Sequence, residues 1–440
     1  MRWLYVLVSY ALFAVLFPVL ALHRKTRRGQ RERFGLYAPD NRPGPGRPRL
    51  WLHGASAGDL LALSPMIPLL RERFPAGQII LSTMTDSGQA MARQRLASQV
   101  DVIIHVPWDL AGATGRAMRA MRPDLLVLEY TEIWPNLIHA AKASGARLVL
   151  TNGRFSPTHL GRYRWLFRLI GNPLSKMDLL LMREPEEAER ALALGATASR
   201  VAVTGNTKFD ALVPAERQTE EDLELLRAIG FAPDAPLWIA GSTHEGEEER
   251  LLEVYARLRE TFPTLGLLLA PRYVDRAARV AGLAEARGLP VALRTKGNAR
   301  GAPVVVLDSI GELTRLYRRA TVVFVGGSFT SRGGQNILEP AVQGRPVLFG
   351  PHMENFHDSV QVLVGRGGIQ VKDFEHLERT LRELLGRPEA ARSLGALAQG
   401  AVEQLTGASA RNVALMAALL EGDSRHDAGT PAQARGGARR

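Results

Sequence analysis

Short apolar runs recur along the chain, and between them apolar residues return every three or four positions. The runs lie at 49–52, 78–83, 101–105, 125–128, 147–151, 179–182 and 201–204, then at 237–240, 267–270, 290–293, 304–307, 322–325, 346–349 and 369–371. Runs this short, bounded by turn residues, read as strands, and the longer intervals of 3.6-residue period read as helices. Strict alternation of the two predicts βαβ units and parallel sheets. The first run of each set carries nearly the same phrase, Leu50-Trp51-Leu52-His53-Gly54-Ala55-Ser56 and Leu237-Trp238-Ile239-Ala240-Gly241-Ser242-Thr243. In both, an apolar strand passes into small residues and then into an acid-containing helical pattern. Such a junction places backbone N–H groups at the carboxyl end of a parallel sheet, where doubly wound folds bind their ligands. Two such starts predict an α/β protein of two Rossmann-like domains facing a cleft.

One stretch breaks the alternation. Residues 3–22 are uncharged and apolar, about the length of a helix that crosses a bilayer. Arg24, Lys25, Arg27, Arg28, Arg31 and Arg33 follow against a single acid, Glu32. Positive charge after the apolar run predicts a membrane anchor with the following chain on the cytoplasmic side, and is the reverse of a cleavable signal peptide. A helix lying in the interface, its basic flank on anionic headgroups, fits the same pattern. The expected organisation is an anchor at 1–24, a basic juxtamembrane segment and linker at 25–48, an N-terminal domain at 49–215, a C-terminal domain at 216–421 and a disordered tail at 422–440.

Composition narrows the chemistry. In 440 residues, 46% hydrophobic and 23% charged content suit large buried cores. The absence of cysteine excludes disulfides, thiolate catalysis and Cys-ligated zinc. The formal charge of +12 is concentrated near the N-terminus, without the dispersed basic and aromatic pattern of a nucleic-acid surface. The ten histidines show no metal-ligand spacing, so no bound metal is expected. His244 and His352 stand in glycine-containing turns and could touch a ligand, although exposure is the commoner reason for a histidine there.

Three junctions carry candidate chemistry. Gly54-Ala55-Ser56-Ala57-Gly58 matches the G-x-S-x-G elbow of hydrolases, but it follows the first strand of its domain, where no earlier strand supplies an oxyanion loop. Asp59 then opens the helix, either complementing its dipole or acting as a general base. Glu129-Tyr130-Thr131-Glu132-Ile133-Trp134-Pro135-Asn136 places two acids at a strand's carboxyl end, as helix caps or in a ligand crevice. Gly326 to Asn336 holds four glycines, with Ser and Thr, and reads as an anion-binding concavity at a helix start. Glu339 falls on the face of Asn336, where it is either an ordinary surface acid or an acceptor for ribose hydroxyls.

In this order, the segments His53–Asp59, Thr131–Asn136, Asn152-Gly153-Arg154, Thr204 to Asp210, Ala240–His244, Pro271-Arg272, Asp308–Leu313, Gly326–Ala341 and Phe349-Gly350-Pro351-His352 resemble the 3-deoxy-D-manno-octulosonic acid (Kdo) transferases of lipid A assembly. The resemblance runs from the apolar helix to about Leu420. It implies a GT-B-type inverting glycosyltransferase with CMP-Kdo as donor substrate, a membrane lipid A precursor as acceptor, and no metal or other cofactor. It puts the catalytic base on Asp59 and the transition-state stabilisers on Glu132 and Lys208. It puts the CMP contacts on Pro271 and Arg272, on Ile310, Gly311 and Glu312, and on Asn336, Ile337, Leu338 and Glu339. The chain departs from the family pattern at Asp59, where the family has Glu, and at Tyr273 and Gln335, where it has His. A GT-B transferase using another nucleotide sugar, or a nucleotide-sugar epimerase, would share the architecture.

Overall fold

The computed structural model describes residues 2–23, 26–212, 224–225, 227–232, 234–297 and 301–427. The chain divides into two compact units, one built from residues 1–211 and 405–440 and the other from residues 212–404.

The first unit contains a seven-stranded parallel sheet in the order β3-β2-β1-β4-β5-β6-β7. Its strands are β1 (Arg49–His53), β2 (Gln78–Thr83), β3 (Val102–His105), β4 (Leu125–Glu129), β5 (Arg147–Gly153), β6 (Leu179–Met182) and β7 (Val201–Val203). Helices α1 (Arg2–Leu22), α2 (Ala57–Leu63), α3 (Met66–Arg73), α4 (Ala111–Met121), α5 (Pro135–Ala143), α6 (Leu160–Ile170) and α7 (Pro185–Ala193) accompany them. Strands covered on both faces need unbroken apolar runs, which is why Leu50, Trp51 and Leu52 are all fully buried. Successive residues serve opposite faces: Trp51 packs with Ile80 and Leu126, and Leu50 and Leu52 with Leu60, Leu63 and Ile67.

The second unit repeats the plan in the order β10-β11-β9-β8-β12-β13-β14. Its strands are β8 (Leu237–Thr243), β9 (Gly266–Pro271), β10 (Val291–Leu293), β11 (Val304–Val306), β12 (Val322–Val325), β13 (Val347–Phe349) and β14 (Gly368–Gln370), with helices α8 (Glu248–Thr261) and α9 (Leu338–Val342) among its covers. The paired phrases of the sequence are the interior strands β1 and β8. In each sheet the order of strand addition reverses beside that strand, at the parallel pairs β1/β4 and β8/β12.

Three boundaries differ from expectation. The second domain does not run to residue 421. Helix α10 (Ala408–Asp427) belongs to the first unit, where Val413 and Met416 join the Leu50 cluster, and Asp210 accepts hydrogen bonds from the N–H groups of Gly407 and Ser409 (both 2.6 Å) at its start. A helix ending at 420 was expected because the large apolar residues stop there; residues 428–440 of the expected tail lie outside the described residues. The stretch before the first strand is not a free linker. Glu32 bonds both the Nδ1 and the backbone N–H of His105 at 2.9 Å, Tyr37 is buried, and Arg33 is fully buried 5.0 Å from the Trp108 ring centre. Of the basic cluster, Arg33 is therefore spent on the interior, Arg27, Arg28 and Arg31 are exposed, and Arg24 and Lys25 lie outside the described residues.

Among the described residues one helix, α1, is long and apolar enough to cross a membrane. It does not project from its unit. Tyr5 donates to Asp109 (2.8 Å), Gly112 N–H donates to Tyr10 (3.0 Å), and Phe13 packs on Phe34 and Trp108 with centroids 5.8 and 5.5 Å apart.

Candidate functional site

At the carboxyl ends of β1 and β4 the first unit assembles its polar groups. Ser56 has an extended backbone and caps α2 through a reciprocal box: its side chain accepts from the third helical N–H, and Asp59 Oδ2 accepts from Ser56 N–H at 2.8 Å. An extended serine occupied as a cap is not a strained nucleophile elbow, which removes the hydrolase reading. Asp59 is half-buried, so its second oxygen is not committed to the cap.

Behind it, His53 is fully buried. Its Nδ1 faces Ser82 Oγ at 3.0 Å, and its Nε2 stands 3.6 Å from Glu132 Oε2, just beyond hydrogen-bond reach. Trp134 Nε1–H donates to the same Glu132 oxygen at 2.8 Å. Burial pushes the Glu132 carboxyl upward, but the facing imidazole and the indole N–H outweigh it and hold the group below the usual carboxylate range. Glu129 behaves oppositely. It is fully buried, accepting from Thr151 Oγ1 at 2.5 Å and from the Asn152 amide, and burial with the nearby Asp59 charge pushes it up to about 8 against those bonds. The two acids share a loop, but one is held as an anion and the other takes up a proton readily. Divergence of this kind is common at functional sites.

Asn152 ties this network to Lys208. Its side chain donates to Thr207 Oγ1 (2.5 Å) and accepts from Thr207 N–H (3.0 Å), and Thr207 Oγ1 donates to the Ala62 carbonyl at the end of α2 (2.7 Å). Lys208 follows, exposed, in a turn pinned to the helix that carries Asp59. Four non-glycine residues among those described hold positive φ, and three of them, Tyr130 (53°), Asn152 (50°) and Ser242 (55°), stand at the carboxyl ends of β4, β5 and β8. Backbone strain of this kind concentrates where side chains must be aimed.

In the second unit a cavity of about 580 Å³ opens at the carboxyl ends of β8, β9 and β11. Pro271, Arg272, Ile310, Gly311, Asn336 and Glu339 line it, together with Ser242, Tyr273, Ser309 and Gln335. Sequence positions up to 97 residues apart, Ser242 and Glu339, thus meet in one pocket. Asn336 Nδ2–H donates to Glu339 Oε1 (3.1 Å), and Thr314 donates to Glu339 Oε2 (3.0 Å), so the pair shares a face as its spacing predicts. Three of the nine expected nucleotide contacts are not in the lining. Glu312 turns to Arg294 (3.1 Å) and Ser309 (2.5 Å), whereas Ile337 and Leu338 are buried. The Arg272 guanidinium lies 5.8 Å from the Tyr273 ring centre, and Tyr273 meets the His244 ring edge-on at 5.7 Å. Burial and the neighbouring arginines 332, 276 and 272 hold His244 below the usual imidazole range, so it stays neutral. His352 is exposed beside Glu354.

The Gly326–Asn336 turn corrects another expectation. Its anion-binding concavity is already filled from within. The fully buried Glu247 carboxylate accepts from the N–H groups of Gly327 (2.8 Å), Ser328 (3.1 Å), Phe329 (3.0 Å) and His244 (2.9 Å). The Leu338 N–H is likewise taken, by Asn336 Oδ1 at 3.1 Å. Glu247 was not singled out from the sequence. Its signal was the acid three residues after His244 at a helix start, half of a capping box.

Residues 28–211 match the family model described as 3-deoxy-D-manno-octulosonic-acid transferase (kdotransferase). The chain is 30% identical to the 3-deoxy-D-manno-octulosonic acid transferase of Haemophilus influenzae over 89% of this chain and 91% of that protein. It is 31% identical to the enzyme of the same name from Bordetella pertussis over 90% and 94%. The chain belongs to the Kdo transferase family. It is accordingly a glycosyltransferase built of two parallel-sheet α/β domains. The same architecture is seen in a solved putative UDP-N-acetylglucosamine 2-epimerase from Listeria monocytogenes, 14% identical, TM-score 0.54, over 86% of this chain and 97% of that one. At that identity the likeness shows the fold alone.

Proposed function

We propose that this Kdo transferase moves Kdo from CMP-Kdo to a lipid A precursor with inversion at the anomeric carbon, working at the cytoplasmic face of the inner membrane. The observation that carries the reading is the cavity of the second unit, which gathers six of the nine expected donor contacts in a member of this family. Asp59 acts as base, taking the proton of the acceptor hydroxyl. The oxygen then attacks the anomeric carbon of Kdo, the bond from that carbon to the phosphate oxygen breaks, and CMP leaves with the bonding pair. Lys208 and Arg272 supply positive charge against the charge that develops on the phosphate, and Glu132, held ionised, stabilises the positive character of the sugar. CMP carries one phosphate, so the Arg272 guanidinium with the polar side chains of the cavity suffices without a divalent ion, and a chelator is expected to leave the rate unchanged. Asp59 is shorter by one methylene than the family's Glu. Its hydrogen bond to Ser56 N–H sets where that carboxylate sits, which matters because a displacement of about 1 Å can cost a hundredfold. An acceptor that stays in the bilayer explains the apolar α1.

The test is incubation of detergent-solubilised protein with CMP-Kdo and tetra-acylated lipid A precursor, followed by mass spectrometry of the lipid. One or more Kdo increments support the reading. No increment, with CMP still bound, overturns it in favour of another sugar or acceptor.

A further inference from the structure

The repeated phrase contains its own comparison. Trp51 and Trp238 are fully buried at matching places in β1 and β8. Two residues on, the first sheet has His53, in register with Ser82 of β2, and the second has Ala240, in register with Leu269 of β9. The second unit thus builds the same strand pair from apolar residues alone, and its Trp238 Nε1–H is buried without a hydrogen-bond partner. Burying an imidazole and a hydroxyl costs free energy that alanine and leucine do not incur. Packing of the fold therefore does not require His53 and Ser82.

Counting protons shows what they do. Ser82 is fully buried, and its Oγ accepts at 2.7 Å from Trp51 Nε1–H, a group that can only donate. The hydroxyl must then place its own proton, and the acceptor in reach is His53 Nδ1 at 3.0 Å. The Ser82 carbonyl also lies 3.2 Å from Nδ1, but it already accepts Gly54 N–H at 3.2 Å. A proton on Nδ1 would strand the hydroxyl hydrogen and, in the neutral ring, turn the Nε2 lone pair toward a carboxylate. With Nδ1 accepting, the ring carries its proton on Nε2. That nitrogen is buried without a hydrogen-bond partner, and Glu132 Oε2 stands 3.6 Å from it. Trp134 Nε1–H reaches the same oxygen at 2.8 Å. Both donors converge on Oε2, and Oε1 accepts no hydrogen bond among the described residues.

We propose that Trp51, Ser82 and His53 form a buried hydrogen-bond chain that fixes the His53 tautomer and aims Nε2–H at Glu132 Oε2, leaving Oε1 to the sugar. His53 is a positioning residue: it touches Glu132 and acts through it. Ser82 acts one step further back, through the ring. The effect on transfer rests on the role given to Glu132 under the functional reading above. The tautomer does not rest on that reading and is measured without turnover.

The experiment uses the full-length protein labelled with ring-15N histidine, and long-range proton–nitrogen NMR spectra of the parent, Ser82→Ala, Ser82→Thr and His53→Gln. The His53 signal is the one that His53→Gln removes. In the parent we expect a bare Nδ1 and a protonated Nε2. Ser82→Ala deletes the hydroxyl and leaves the residue 82 carbonyl as the neighbour of Nδ1, so the proton should move to Nδ1. Ser82→Thr keeps a hydroxyl and should restore the parental tautomer. In the transfer assay, Ser82→Ala should lower kcat about tenfold to a hundredfold, as for other hydrogen-bond partners that orient a working histidine. KM for CMP-Kdo should stay put, because the donor cavity belongs to the second unit. Ser82→Thr should recover most of the loss. A proton on Nδ1 in the parent overturns the proposal, as does a tautomer that Ser82→Ala leaves unmoved. So does a moved tautomer with parental kcat. A parent that forms no Kdo-bearing lipid sinks the transferase reading instead, and the NMR spectra alone then decide the chain.

Discussion

Replacing Glu247 by Ala tests how the donor half is built. The carboxylate is fully buried and is the common acceptor for four backbone N–H groups at 2.8–3.1 Å. Hydrogen bonds to a charged group contribute roughly 1.5–3 kcal/mol each, a gross gain of about 6–12 kcal/mol for four. Taking the carboxylate out of water costs several kcal/mol of that. The remainder, with some water entering the vacated space, is about 4 kcal/mol, within the roughly 3–5 kcal/mol found when one partner of a buried charged pair is removed. For a unit of this size each kcal/mol lowers the melting temperature by about 2–4 °C, so calorimetry should show a fall of roughly 8–16 °C in the transition of the second unit. Glu247→Gln keeps one oxygen but turns an NH2 group toward two of the donors, so it should fall between the two. The Gly327, Ser328 and Phe329 amides should exchange faster in both variants, and CMP affinity should drop because the turn leads into Gln335 and Asn336. A melting temperature within about 2 °C of the parent for Glu247→Ala refutes the reasoning. It would mean that the turn holds itself by its own bonds, such as Gly334 N–H to the Gly327 carbonyl at 2.9 Å.

Asp59→Asn keeps an oxygen for the Ser56 N–H, so the fold should survive while kcat drops by about 10²–10⁴, the range for loss of a general base; retained turnover with CMP-Kdo would move the base elsewhere. Arg272→Ala should weaken CMP binding by titration calorimetry roughly tenfold or more without altering the melting temperature, because the guanidinium is exposed in the cavity; an unchanged affinity would take the phosphate away from this residue. Glu129, pushed up to about 8, binds a proton when folded that it releases near 4.3 when unfolded, so its contribution to stability is greatest below that pH and is lost as pH rises through about 8. Glu129→Gln should therefore be close to neutral in melts at pH 6 and stabilising at pH 9; a large destabilisation at both would show that the carboxylate is ionised in the fold.

The strand runs were legible because strands covered on both faces need unbroken apolar stretches, and β2, β6 and β12 occupy the spans that their residues predict. The repeated phrase marked an interior strand of each sheet, beside which the strand order reverses, for the same reason: both copies need a large buried Trp and then small residues at the ligand end. Asn336 and Glu339 could be paired from spacing, because helix geometry is local. The partner of the glycine turn could not be read that way. A run of glycines reports only that N–H groups are accessible, and the acid that fills the concavity lies 80 residues earlier.

What the sequence determined alone was periodic or local: the fourteen strand segments, the apolar α1, the caps, and the order of motifs that marks the family. What only the tertiary structure decided was which distant groups share a space. Glu129 and Glu132, three residues apart, acquire opposite pKa shifts because one points into a dry network and the other toward His53 and Trp134. Helix α10 returns to the first unit because Val413 and Met416 find their apolar partners there and Asp210 caps its start. Burial and electrostatics are properties of neighbours in space, and the chain order of this protein leaves most of those neighbours unnamed.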